Sequence, residues 1–255
     1  MTEQHRKTDD VAAEAPSGTP GHQRWLRWAG AGVHAFTALG IVCALLAMLA
    51  VLAGAYERAF AWLFVALFID AIDGTMARAV DIQQHVPRFS GERLDLVIDY
   101  VTYVFVPVLA LLHARLLEGH MGQAVAMLIL LSSLYHFADN DSKSADNCFV
   151  GFPAVWNIVV FCLFAWGVAS WVAASVSVVL AGLAFVPMHW LHPMRVRRLL
   201  GLNVAVTVAG LVAGLWVLWV GFPAGPVTSG VLLAASIYYV GLALLWRPLT
   251  GQSTA

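Results

Sequence analysis

Eight apolar stretches set the terms on which this chain can fold. They run at about 29–53, 59–79, 95–117, 121–138, 153–170, 172–191, 199–220 and 228–246. A helix needs roughly 20 such residues to cross the hydrocarbon core of a bilayer. Within lipid the backbone must satisfy its own hydrogen bonds, which leaves helices as the natural spanning element. Charged residues make up only 11% of the chain, against roughly 25% in soluble domains. The expected fold is therefore all-α: a polytopic membrane helical bundle of about eight transmembrane helices, with a very short connection at 167–171.

An even number of spans puts both termini on one side. Placing them in the cytoplasm puts twelve of the 14 basic residues there, including Arg24, Arg27, Arg78, Arg88, Arg93, Arg195, Arg197 and Arg198. Only Arg58 and Arg115 fall opposite, a distribution that follows the positive-inside rule. Residues 1–23 are polar and broken by Pro16, Gly18, Pro20 and Gly21, and read as a disordered cytoplasmic tail. Residues 24–246 form the transmembrane domain and 247–255 a C-terminal tail. The run from Arg24 to Trp28 mixes basic and aromatic side chains, as suits a helix start at the headgroup level. A net charge of −1 gives no footprint for nucleic acid. Cys43, Cys148 and Cys162 lack the spacing of a disulfide framework or zinc site.

Against this hydrocarbon background stand Asp70, Asp73, Asp95 and Asp99. Ionisable groups within membrane segments are costly and mark functional sites. Topology puts the first pair at the cytoplasmic end of the second span and the other pair at the cytoplasmic start of the third. Asp70, Asp73 and Ala77 are spaced i, i+3, i+7, and Gly91, Asp95 and Asp99 i, i+4, i+8, so each set shares a helix face. Carboxylates that converge in a low dielectric cannot all ionise without cations. Hard divalent ions with oxygen ligands, Mn²⁺ or Mg²⁺, suit such a set. Two ions would make a clamp for phosphoryl chemistry. Gly74, Ala77 and Gly91 keep the faces open, and Arg78 can grip a phosphate with two hydrogen bonds.

The pattern D-x2-D-G-x2-A-R…G-x3-D-x3-D, met by Asp70, Asp73, Gly74, Ala77, Arg78, Gly91, Asp95 and Asp99, resembles the signature of the CDP-alcohol phosphotransferases. The gap of twelve residues between Arg78 and Gly91 is longer than usual for that family. It is similar to the gap of the bacterial phosphatidylcholine synthase branch, as is the run from Asp146 to Asn157. The resemblance implies a phosphatidyltransferase that joins CDP-diacylglycerol to choline, giving phosphatidylcholine and CMP. It also implies roles. Asp70, Asp73, Asp95 and Asp99 would ligate metal, two divalent ions of Mn²⁺ or Mg²⁺. Asp70, Asp73, Gly74, Ala77, Arg78 and Gly91 would contact the CDP moiety, and Asp99 would be the general base. A homodimer in a bacterial inner membrane, with its site facing the cytoplasm, follows from the same likeness and from the charge distribution.

The acceptor pocket has several candidates. Quaternary ammonium groups are recognised by aromatic faces and nearby acids. Tyr100 and Tyr103 follow Asp99 closely, while Tyr135, Asp146 and Trp156 lie in or near a polar cytoplasmic loop. Ordinary interface anchoring explains such aromatics equally well. His34 and His113 stand alone and read as packing residues. Gly210 and Gly214 form a GxxxG pair, open to close helix contact or dimerisation. Serine or inositol phosphate are alternative acceptors for the same chemistry. A divalent-metal or proton-coupled transporter is an alternative of another class, but it would favour repeat symmetry and broken helices near the midplane. The acids here cluster at one face, with no second copy of the motif.

Overall fold

The computed structural model describes residues 20–80, 90–139, 141, 148–191 and 199–245. Each apolar stretch becomes a helix: α1 Pro20–Leu52, α2 Tyr56–Val80, α3 Gly91–His113, α4 Gly119–Ala138, α5 Trp156–Trp166, α6 Ser170–Leu183, α7 Leu200–Val220 and α8 Pro226–Leu245. Two short strands join them, β1 Cys148–Val150 and β2 His189–Leu191, paired antiparallel with Phe149 opposite Trp190. Helical periodicity gave no sign of these strands.

Among the described residues, five helices are long and apolar enough to cross a membrane: α1 from Trp28, α3, α4, α7 and α8. α2 has the length, at 25 residues, but carries Glu57, Arg58, Asp70, Asp73 and Arg78. α5 and α6 have 11 and 14 residues, fewer than a perpendicular crossing requires. The break between them falls where the sequence placed it. Gly167 takes a left-handed conformation at φ 58°, which glycine adopts at no steric cost, and Val168 N–H closes the helix end on Leu163 O at 3.4 Å. α1 begins at Pro20, inside the stretch expected to be tail; proline suits the first helical turn because its missing N–H has no partner there.

α1, α2, α3 and α5 form the centre. α1 and α2 are an antiparallel hairpin, and α3 packs on α1 and α5. α5 is buried nearly all round, from Trp156 to Ala165. Its Phe161 and Phe164 meet Phe60 of α2 edge-on at ring centroids 5.4 and 5.3 Å apart. α4 and α6 cover one flank, while α7 and α8 pair on the other. α7 and α8 present Leu211, Val212, Leu215, Trp216, Trp219, Ile237 and Leu244 outward, the apolar surface that lipid covers.

Glycines set several close approaches. A Cβ at Gly40 of α1 would stand 2.7 Å from Ile98 of α3, and one at Gly214 of α7 would stand 2.9 Å from Phe64 of α2. Gly210 faces Ala235 of α8. The GxxxG pair is therefore spent within the chain, on α2 and α8. Gly54, Gly182 and Gly201 have no such neighbour. The three cysteines are buried and form no disulfide.

α3 is not uniform. Residues Tyr100–Phe105 wind as a π-helix between two α-helical parts, with Val106 N–H bonded to Val101 O. The cause lies in Pro107. It has no N–H to give Tyr103 O, and its ring collides with the carbonyl four residues back. The wider turn relieves both problems, and Thr102 Oγ1 donates back to Ile98 O at 3.0 Å.

Candidate active site

The loop between α2 and α3 lies outside the described residues except at its end, where Ser90 caps α3. Its Oγ accepts from Arg93 N–H at 3.3 Å, satisfying one of the free donors of the first turn. From this start the helix carries Asp95 and Asp99 on the face turned to α2. Asp70, Asp95 and Asp99 each offer a carboxylate oxygen, all within 4.8 Å of one another, and all three side chains are half-buried. Three hard oxygen donors so gathered fit a divalent cation.

Asp73 stands outside this trio. It is only 5% exposed, lies against Thr37 of α1, and its Oδ2 is buried with no hydrogen-bond partner. A buried, unpaired carboxylate oxygen is expensive to keep. Of the four expected ligands, three converge and the fourth lies one helical turn away. Gly74 is on the same turn of α2 as Asp73. Ala77 and Arg78 occupy the last turns of α2.

α1 contributes more than sequence reasoning allowed. The ring of His34 sits against Gly91: a Cβ there would be 2.9 Å from His34 Cε1. His34 Nε2 is buried without a partner. The histidine does pack, as expected, but it packs into the site rather than into featureless core. Thr37 and Gly40 follow at i+3 and i+6 and touch Asp73 and Ile98 in turn. The signal available in the sequence was this spacing of polar and small residues on an otherwise apolar helix; without the partner helices it pointed nowhere.

The acceptor candidates separate. Tyr103 Oη donates to Asp70 Oδ2 at 2.5 Å, so it belongs to the acid cluster. Tyr100 Oη donates to Leu130 O of α4 at 3.0 Å, and its ring meets Phe137 edge-on. Tyr135 is two residues from Phe137, about 200° around α4. It is 67% exposed and lines a cavity of about 330 Å³ with His136, Asp139 and Phe185, on a different face from the acids. Trp156 is fully buried, with Nε1 donating to Ser133 Oγ at 2.8 Å and its ring against Phe152. Asp146 lies outside the described residues, as does the basic run Arg195, Arg197 and Arg198.

Helices fit to cross a bilayer, with carboxylates drawn together where two helix ends meet, define an integral membrane enzyme whose polar site is sunk among apolar helices. No family model matches the chain. It is 43% identical over 217 residues to the phosphatidylcholine synthase of Pseudomonas aeruginosa, covering 85% of this chain and 90% of that protein. It is 41% identical over 213 residues to the phosphatidylcholine synthase of Bradyrhizobium diazoefficiens, covering 84% and 80%. The phosphatidylcholine synthase of Borreliella burgdorferi is 31% identical over 179 residues, covering 69% and 75%. The chain belongs to the bacterial phosphatidylcholine synthase family, and it is a phosphatidyltransferase of phospholipid synthesis.

Proposed function

We propose that the enzyme condenses CDP-diacylglycerol with choline, releasing phosphatidylcholine and CMP. The observation that carries this reading is the convergence of Asp70, Asp95 and Asp99 in a chain so similar to phosphatidylcholine synthases. Asp70, Asp73, Asp95 and Asp99 would hold Mn²⁺ or Mg²⁺, two ions in all. When bound, the metal neutralises the diphosphate and the charge that develops on the transferred phosphoryl group.

The rest falls to the chain's own groups. Asp99 accepts the proton of the choline hydroxyl, and the freed oxygen attacks the phosphorus that bears diacylglycerol. The bond from that phosphorus to the CMP oxygen breaks, and CMP leaves with the bonding pair. Gly74, Ala77 and Gly91 give the CDP moiety room, and Arg78 holds a phosphate. The half-burial of the acids supports an acceptor that reaches them from water while acyl chains remain in lipid. The positive-inside distribution supports a cytoplasmic site, with both termini on that side of a bacterial inner membrane. α2, long but charged, would be a sixth span, and α5 with α6 would complete an eight-helix transmembrane domain; the expected N-terminal tail up to residue 19 lies outside the described residues. A homodimer rests on family likeness alone.

The test is direct. Purified protein receives CDP-diacylglycerol, Mn²⁺ or Mg²⁺, and a panel of alcohols. CMP release with choline, abolished by a chelator and restored by metal, is the expected result. Release with serine or inositol phosphate but not choline would overturn the acceptor. No CMP with any alcohol, together with metal flux into vesicles, would overturn the reaction in favour of transport.

A further inference from the structure

The one irregular turn of α3 lies beside the acids, and its effect is angular. In a regular α-helix each residue advances about 100°, so positions four apart drift by about 40° each time. Asp95, Asp99 and residue 103 would then spread progressively away from α2. A π turn holds more residues per turn, so each advances less, and the residue one turn past Asp99 falls back toward the line of the acids. That residue is Tyr103. Its hydroxyl reaches across to α2 and donates to Asp70 Oδ2 at 2.5 Å. π turns are rare in proteins and concentrate at functional sites. Here the turn has an assignable cause in Pro107 and an assignable product in this hydrogen bond.

We infer that Tyr103 is a positioning residue for Asp70, and that Pro107 sets it in place through the π turn. This rests on the reading of Asp70 as a metal ligand. A carboxylate on a helix has two free torsions, and binding an ion must freeze them. A phenol that already occupies one lone pair of Oδ2 fixes the rotamer and aims the remaining lone pairs at Asp95 and Asp99. Such outer hydrogen bonds to ligating groups are commonly worth 10- to 100-fold in metal affinity. Tyr100 cannot substitute, because its hydroxyl is engaged with Leu130 O on α4. Thr37 of α1 lies beside Asp73, but its hydroxyl donates to Val33 O at 3.2 Å, so Tyr103 is the hydroxyl that holds an α2 acid. Tyr103 thereby leaves the set of acceptor-cage candidates and joins the acids.

Two substitutions test this in the full-length protein. Tyr103→Phe deletes the hydroxyl and keeps the ring. Pro107→Ala keeps the tyrosine and permits a regular α-helix, which moves it. Mn²⁺ binding is read without substrates, by the electron paramagnetic resonance of the free ion. Both variants should bind Mn²⁺ about 10- to 100-fold more weakly, and turnover should recover as metal is raised. In metal-free protein, Tyr103→Phe and Asp70→Ala should be non-additive in melting temperature, because they remove the same contact.

Wild-type Mn²⁺ affinity in both variants overturns the proposal. So do additive melting shifts, or a raised choline KM with metal binding intact, which would return Tyr103 to the acceptor pocket. If Tyr103→Phe does not fold, Pro107→Ala decides alone by its Mn²⁺ affinity. Coupling between Tyr103 and Asp70 in a protein that binds Mn²⁺ but releases no CMP would refute the proposed reaction and leave the positioning role standing. Turnover with Mn²⁺ affinity indifferent to both substitutions would refute the positioning role alone.

Discussion

Two polar clusters lie buried among these apolar helices, and they are built on opposite principles. Between α7 and α8, Asn203 is fully buried. Its Oδ1 accepts from Tyr238 Oη at 2.7 Å, and its backbone oxygen accepts from Thr207 Oγ1 at 2.7 Å and Tyr239 Oη at 3.1 Å. The groups are neutral, and Asn203 Nδ2 is left buried without a partner. Between α2 and α3, three carboxylates gather within 4.8 Å, and nearby Asp73 keeps an unpartnered buried oxygen. There the gathered groups are carboxylates, one of which accepts from Tyr103 Oη. A neutral network glues helices together. Carboxylates gathered in a low dielectric call for a cation. The contrast separates structure from site inside one bilayer-sized bundle, where burial alone does not.

Asp99→Asn should cut deepest. Loss of a general base costs about 10²- to 10⁴-fold in turnover, while the protein still inserts and melts as the wild type does. CMP release and a melting curve on the same preparation check this, and near-wild-type turnover would remove Asp99 from its role. Gly91→Ala comes next. The new methyl would stand 2.9 Å from His34 Cε1, and overpacking of this kind costs about 1–3 kcal/mol. Turnover and melting temperature should both fall. His34→Ala in the same chain should restore the melting temperature, because it empties the contested space. If it does not, the glycine is required by substrate alone and α1 has no part in the matter. The smallest effect belongs to the other cluster. Asn203→Ala strands the Tyr238 hydroxyl and should lower stability by about 1–3 kcal/mol, with choline KM and the metal requirement unchanged at temperatures where the protein is folded. A shift in either would erase the distinction between the clusters.

The acid cluster was partly legible beforehand. Spacing at i+4 along Gly91, Asp95 and Asp99 put these residues on one face because an α-helix repeats every 3.6 residues, and α3 is α-helical over that stretch. The same rule failed over the next six residues, Tyr100–Phe105. Tyr100 and Tyr103 looked equivalent, yet the π turn sent one to Leu130 and the other to Asp70. Pro107 was the available clue, but proline alone does not say whether a helix will kink, break or widen. Asp70 and Asp73 looked equivalent too; only the packing of α1 against α2 set Asp73 beside Thr37 and apart from the trio. The strands β1 and β2 were invisible because a three-residue strand has too few residues to establish a period of two. The eight apolar stretches did become helices, but α5 and α6 are shorter than expected. Hydropathy continues through Gly167 and past Leu183, whereas the backbone turns.

From the sequence by itself came the all-helical membrane class, the break at Gly167, the acids of the site and the reaction they resemble. These depend on local chemistry: apolar run length, helical period, glycine conformation, and the cost of charge in hydrocarbon. The tertiary structure alone decided that three aspartates meet while the fourth does not, that His34 occupies the space beside Gly91, that Gly210 and Gly214 are used within the chain, and that Tyr103 faces the acids. Each of these is a relation between residues on different helices. Nothing in a helix's own sequence states the rotation of its neighbour, which is settled by how all the side chains fill the space between them.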